Sequence, residues 1–204
     1  MNHDKTPGEG TVAVWAGEEE PFWEGATQVP VVHSVSFGYD DLDKWLEIGQ
    51  GKAQGHIYSR NTNPTVRAFE NKIRQFEGAA SATSFASGMA AISTALLGHL
   101  QAGDHLLVQD QLYGGTHALL RELLPKMGIN TTFVNPTDTQ SFEAAITKKT
   151  RVIYTEAVGN PTLKVADIPA LADLAETYDL TLVVDNTFAS PHLQRPFEHG
   201  ADVV

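Results

Sequence analysis

An acidic residue closes an apolar run late in this chain: Leu180-Thr181-Leu182-Val183-Val184 leads into Asp185-Asn186-Thr187. An acid at the carboxyl end of a buried strand stands where open α/β sheets bind ligands. A carboxylate there can keep a heterocyclic nitrogen protonated by pairing with it. Three further patterns can act beside it. Ser87-Gly88-Met89 joins a hydroxyl, a glycine and the free amides of a helix start, a combination suited to a single phosphate group. Tyr113 precedes Gly114-Gly115, so its ring can lie on a planar ligand. Glu156 to Thr162 carries an acid and an amide, and the Asn160 side chain can donate to a phenolate oxygen or a substrate carboxylate.

Each pattern alone also has a plainer reading. Ser87 and Asp185 are good caps, Asn160-Pro161 is a turn signal, and Tyr113 fits a partly buried turn. Taken together they supply an anion site, a stacking ring, an amide and an acid. That is the set a pyridoxal 5′-phosphate (PLP) cradle needs, apart from its lysine. Tyr58 and Arg60, in the stretch His56-Ile57-Tyr58-Ser59-Arg60, add a guanidinium able to grip phosphate bidentately, though an exposed arginine needs no function.

The elements that must position these residues follow from periodicity. Asn63-Pro64 caps a helix in which Val66, Phe69, Ile73 and Phe76 recur at helical spacing until Gly78. Beyond it the pattern alternates. Strands are expected at Ser81–Phe85, His105–Val108, Thr131–Val134, Arg151–Glu156 and Thr181–Val184. Helices are expected at Gly88–Leu100, Thr116–Met127, Ser141–Ile146 and Ile168–Tyr178, the last capped by Asp167. Such alternation calls for an α/β fold with a mostly parallel sheet flanked by helices and joined by right-handed crossovers. The loops carrying Ser87-Gly88, Tyr113-Gly114, Glu156 to Asn160 and Asp185 to Thr187 then gather at one sheet edge.

Residues 1–60 lack sustained periodicity but hold Trp15, Phe22, Trp23, Phe37, Tyr39 and Trp45 among many glycines. That is too aromatic for a disordered tail. The stretch reads as an extended N-terminal arm that buries its aromatics against a neighbouring subunit, with residues 61–204 forming the α/β domain.

Composition narrows the classes. The net charge of −11 argues against a nucleic-acid partner. The absence of cysteine excludes disulfides, thiolate metal sites and a cysteine nucleophile. The eight histidines show no metal-binding spacing, and no G-x-S-x-G elbow is present. The polar start, Met1 to Gly10, has no apolar signal core, and no run approaches a membrane span. A soluble, cytoplasmic protein acting on a small molecule is the expectation.

Six segments, HIYSRNTNPT (56–65), FASGMAAI (85–92), LYGGT (112–116), EAVGNPTLKVADI (156–168), VVDNTFASP (183–191) and LQRPFEHGADVV (193–204), resemble the Cys/Met-metabolism PLP enzymes. That group includes cystathionine γ-synthase, the O-acylhomoserine sulfhydrylases, the cystathionine lyases and methionine γ-lyase. The resemblance implies the fold type I (aspartate-aminotransferase-like) architecture and a homotetramer, a dimer of dimers with shared active sites. It implies phosphate held by Gly88 and Met89 with Ser87 and Thr187 beside it, Tyr113 stacked on the ring, and Asp185 on the ring nitrogen. It further implies Asn160 on the ring oxygen or substrate carboxylate with Glu156 supporting it, and Tyr58 and Arg60 reaching a neighbouring subunit's phosphate.

In the family, the stretch matching GADVV runs on into a serine-threonine-lysine motif whose lysine carries the cofactor as a Schiff base. Lys164 and Lys148-Lys149 do not match that lysine, so residues 1–204 are expected to be the amino-terminal part of a longer polypeptide, or of a chain split at a modified lysine. The resemblance implies a trans-sulfuration enzyme. Methionine γ-lyases usually carry a cysteine shortly after the stacking tyrosine, where this chain has Gly114-Gly115-Thr116. The reading therefore tilts to γ-replacement on an O-acylhomoserine by a sulfur nucleophile, with γ-elimination as the alternative. A non-catalytic fragment or subunit-interaction module is the second alternative.

Overall fold

The computed structural model describes residues 7–17 and 25–204, so Phe22 and Trp23 of the arm lie outside the described residues. The chain divides into two compact units, Met1–Ser84 and Phe85–Val204.

In the first unit, helices α1 (Glu9–Trp15) and α2 (Leu42–Gly49) occur where no periodicity announced them. Both are short, and Asp41 starts α2 by accepting from the amides of Asp43 and Lys44. The helix α3 (Pro64–Glu77) starts at Asn63, which accepts from the amides of Thr65 and Val66, and ends at left-handed Gly78. Asn63 also donates to Val32 O at 2.9 Å, so the cap ties the preceding arm to the helix. Gly17 approaches α3 so closely that a Cβ would lie 2.3 Å from Ala68 O. The expected apolar stripe of α3 is present but uncovered: Val66, Phe69 and Ile73 are exposed, as are Trp15, Trp45 and Tyr58 of the arm. The expected strand Ser81–Phe85 does not form. The Ser84 amide and hydroxyl instead donate to Glu70 at 2.7 and 2.9 Å, so a side chain takes the bonds a ladder would have used.

The second unit is built on four parallel strands, β1 (His105–Gln109), β2 (Asn130–Val134), β3 (Thr150–Glu156) and β4 (Thr181–Asp185), in the order β2-β1-β3-β4. The helix α4 (Gly88–His99) precedes β1, and α5 (Gly114–Ala118), α6 (Thr139–Ala145) and α7 (Ile168–Tyr178) run between successive strands. After β4 come a short α8 (Ser190–Leu193) and a parallel bridge from Val183 to Val203. The helix expected at Thr116–Met127 begins earlier, and α5 runs on through a π turn, Leu119–Leu123, and a 3₁₀ turn, Leu124–Met127. Pro125 explains the second change, because it lacks an N–H and crowds the carbonyl four residues back.

Both sheet faces are covered, which is why the strands read as near-continuous apolar runs. Leu107, Ile153, Leu182 and Val184 pack with Phe142 of α6 and Ile168 and Leu171 of α7. Leu106, Val108, Val152, Tyr154 and Val183 pack with Leu96 of α4 and with Leu120 and Leu124. Each such fully buried side chain contributes roughly 1.5–3 kcal/mol.

Candidate functional site

Strand order locates the site. The chain passes from β1 to β2 on one side and then crosses to β3 on the other, so β1 and β3 are adjacent with connections leaving in opposite directions. Such a switch point opens a crevice at the carboxyl ends of the strands. Strand parity then places the acids. Side chains two apart share a sheet face, so Tyr154 and Glu156 of β3 and Val183 and Asp185 of β4 all face α4 and α5. Glu156 and Asp185 are register partners on adjacent strands.

Here a cavity of about 390 Å³ is lined by Ser87, Gly88, Met89, Tyr113, Asn160 and Asp185, together with Glu156 and Thr187. These are the sequence-derived site residues of the second unit, brought to one edge from four loops. Tyr58 and Arg60 belong to the first unit, where the guanidinium carbon lies 4.6 Å from the Tyr58 ring centroid.

The anion end is the start of α4. Ser87 Oγ accepts from the Ala90 amide at 3.1 Å, and Ser87 O accepts from Ala91. Helix geometry leaves the Gly88 and Met89 amides without intrahelical acceptors, pointing out of the amino terminus. A helix of this length adds a partial positive charge there.

Glu156 is buried, and both its oxygens are committed. The Tyr113 amide donates to Oε1 and the Asn160 amide to Oε2, each at 2.8 Å. One carboxylate thus fixes two loops. Burial raises the pKa of its carboxyl group; the two amides pull it back, and the Asp185 charge pushes it up. Gln109, fully buried at the end of β1, holds the other side of this joint: its Oε1 accepts from Thr155 Oγ1 at 2.6 Å and from the Glu156 amide at 2.9 Å. Gly159 lets the returning loop close over this glutamine, since a Cβ there would lie 3.1 Å from Gln109 Nε2.

Asp185 accepts from the Thr187 amide at 3.0 Å through Oδ1 and from the Tyr154 hydroxyl at 3.2 Å through Oδ2. The sequence pattern gives Tyr154 only a place in the strand Arg151–Glu156 and ends the strand from His105 at Val108, so neither Tyr154 nor Gln109 stands out. Parity with Glu156 is the signal that marks Tyr154, and a polar residue ending an apolar strand is the one that marks Gln109. Ile92, Val158 and Phe188 also line the cavity and were not singled out. Among the described residues no group of three or more His, Cys, Asp or Glu could hold a metal ion. No helix among them is long and apolar enough to cross a membrane.

The chain is similar over nearly all its length to proteins of sulfur amino-acid metabolism. It is 40% identical over 195 residues to the O-acetyl-L-homoserine sulfhydrylase of Corynebacterium glutamicum, covering 95% of this chain and 45% of that protein. It is 38% identical over 201 residues to the L-methionine gamma-lyase of Pseudomonas putida, covering 98% and 50%. Among solved structures, a putative O-acetylhomoserine (thiol)-lyase of Campylobacter jejuni carrying N'-pyridoxyl-lysine-5'-monophosphate superimposes with a TM-score of 0.89 at 31% identity. That match covers 94% of this chain and 47% of the other. The chain therefore spans about half the length of these relatives. With residues 10–204 matched by the family described as Cys/Met metabolism PLP-dependent enzyme, the chain belongs to that family.

Proposed function

We propose that this chain forms the PLP-binding part of an enzyme that replaces the γ-substituent of an O-acylated homoserine by a sulfur nucleophile. The observation that carries the cofactor reading is the pairing of a helix amino terminus and a doubly held carboxylate in one cavity of about 390 Å³. The donor set fits the group: two free amides for a phosphate, a carboxylate for a ring nitrogen, and an aromatic ring between them. The volume falls in the usual range for small-ligand sites, about 300–1,000 Å³.

When bound, PLP supplies an electron sink that stabilises negative charge at the substrate carbon. The remaining work belongs to the chain. The Gly88 and Met89 amides bind the phosphate, with Ser87 and Thr187 at its margin. Tyr113 covers the ring. Asp185 keeps the proton on the ring nitrogen, which maintains the sink. Asn160 donates its side-chain amide to the ring oxygen or the substrate carboxylate, and Glu156 positions it and Tyr113 through their backbones. Tyr58 and Arg60 act in trans on a neighbouring subunit's phosphate. In this proposal residues 1–60 are an arm packed on that subunit, residues 61–204 are the cofactor-binding α/β domain, and the assembly is a cytoplasmic homotetramer.

Replacement is read over elimination because Gly114-Gly115-Thr116 stands where methionine γ-lyases usually carry a cysteine, and at Gly115 the Tyr113 ring packs so closely that a Cβ would lie 2.7 Å from its Cε1. The relatives carry both sulfhydrylase and lyase names, so γ-elimination is the competing reading. The test is turnover of O-acetyl- or O-succinylhomoserine with sulfide against turnover of methionine alone. Faster consumption of the acylated substrate with sulfide is expected. Faster release of ketoacid and ammonia from methionine would replace this reading by γ-elimination. Intact mass before and after borohydride reduction of the polypeptide that carries the Schiff-base lysine checks the cofactor separately, with one phosphopyridoxyl adduct per subunit expected.

A further inference from the structure

We propose that Tyr154 is a positioning residue that orients the Asp185 carboxylate toward the ring nitrogen of PLP, through the hydrogen bond its hydroxyl donates to that carboxylate. The inference rests on the cofactor reading above and adds a residue that neither the sequence patterns nor the cavity lining singled out.

The ring of Tyr154 is core. It is 1% exposed and packs among Leu106, Val108, Val152 and Val183, a place phenylalanine would fill equally well. The hydroxyl therefore needs its own explanation, since a buried polar group is costly unless paired. Its partner is the site acid, at 3.2 Å from Asp185 Oδ2. On the other side Thr116, itself fully buried on α5, places its hydroxyl beside the phenol, and its Oγ1 contacts Met89 Sδ at 3.9 Å.

This arrangement decides how the carboxylate sits. The last torsion of an aspartate is broad and two-fold, so the backbone alone does not set the plane of the carboxylate. Here each oxygen has one donor behind it, Thr187 N on Oδ1 and Tyr154 OH on Oδ2. Rotation breaks one of the two. Bonds to an ionised acceptor are about twice as strong as neutral ones. Burial, with the Asp185 and Glu156 charges beside it, holds the phenol well above its ordinary pKa, so it remains a donor.

The test is PLP titration of the apoprotein, reading the dissociation constant and the absorption band of the bound cofactor. Proteins compared are the parent, Tyr154→Phe, Asp185→Asn and the double variant Tyr154→Phe/Asp185→Asn. Tyr154→Phe is expected to weaken PLP about tenfold, the loss of one charge-assisted bond. Its band is expected to move in the same direction as that of Asp185→Asn. The double variant is expected to bind no more weakly than Asp185→Asn alone, because the hydroxyl acts through that carboxylate.

Parent-like binding and band in Tyr154→Phe would overturn the inference, as would losses that add in full in the double variant. Should circular dichroism show Tyr154→Phe unfolded, replacement of Tyr154 by 3-fluorotyrosine, a stronger donor of nearly the same shape, decides: a parent-like band there overturns the inference. A parent protein that binds no PLP would overturn the cofactor reading and this inference with it. A parent that binds, with unaffected variants, overturns this inference alone.

Discussion

Gly115 is a position where one methyl group separates stability from binding. A Cβ there would lie 2.7 Å from Tyr113 Cε1 and 3.0 Å from Met89 Sδ. Tyr113 is 48% exposed, so its ring can swing aside into solvent with little packing lost. In the proposed reading, the result is a ring displaced from the place where it would cover the cofactor. Gly115→Ala is accordingly expected to change the unfolding temperature by no more than a degree or two, since helix propensity at this position improves slightly. It is expected to weaken PLP several-fold through the stacking contact, about 0.5–1.5 kcal/mol. Paired thermal melts and PLP titrations check this. A large loss of stability with parent-like affinity would place the methyl group's effect in the core instead.

At the scale of elements, the start of the sheet is tied by a histidine. His105 opens β1, and its Nδ1 and Nε2 lie 2.8 Å from Thr150 Oγ1 of β3 and Thr132 Oγ1 of β2. One side chain thus joins three adjacent strands at the edge opposite the site. Burial lowers its pKa from 6.5. The unfolded chain then takes the proton first as the pH falls, so this contribution is present above about pH 6.5 and is lost as the pH drops through the folded value. The unfolding temperature is expected to fall between pH 7.5 and 5.5, with a slope of at most about 1.4 kcal/mol per pH unit from this group. Comparison with His105→Gln isolates it: that variant is expected to be less stable at pH 7.5 and to lose less on acidification. Parallel pH curves for the two proteins would assign the dependence to other groups.

In the proposed reading the whole molecule gives the cofactor two handles, the phosphate at α4 and the ring nitrogen at Asp185. Anything that binds the folded state alone stabilises it, by about 2.7 kcal/mol at a hundredfold excess over the dissociation constant. For a chain of 204 residues that is a rise of roughly 5–11 °C in unfolding temperature. PLP is expected to produce such a rise, and pyridoxal, which lacks the phosphate, a clearly smaller one at equal concentration. Equal shifts would mean that the Gly88 and Met89 amides do not carry the phosphate.

Residue identity by itself determined the alternation of strands and helices from Gly88 onward, the helix caps at Asn63 and Asp167, and the set of loops that meet at one edge. These are legible because periodicity and capping act between near neighbours in sequence. Reading Ser81–Phe85 as a strand failed because a strand exists only if another strand pairs with it, and here Glu70 took the bonds. The helices α1 and α2 went unseen because each makes only about two turns, too few for a period to emerge. Only the tertiary structure decided that Glu156 serves two loops at once and that Gln109 braces it. The same holds for Tyr154, whose hydroxyl turns a core side chain into the support of Asp185. Apart from the local Asn160–Glu156 bond, those contacts join residues 31 to 47 positions apart in sequence. They arise from strand order and register, which no local pattern in the chain encodes.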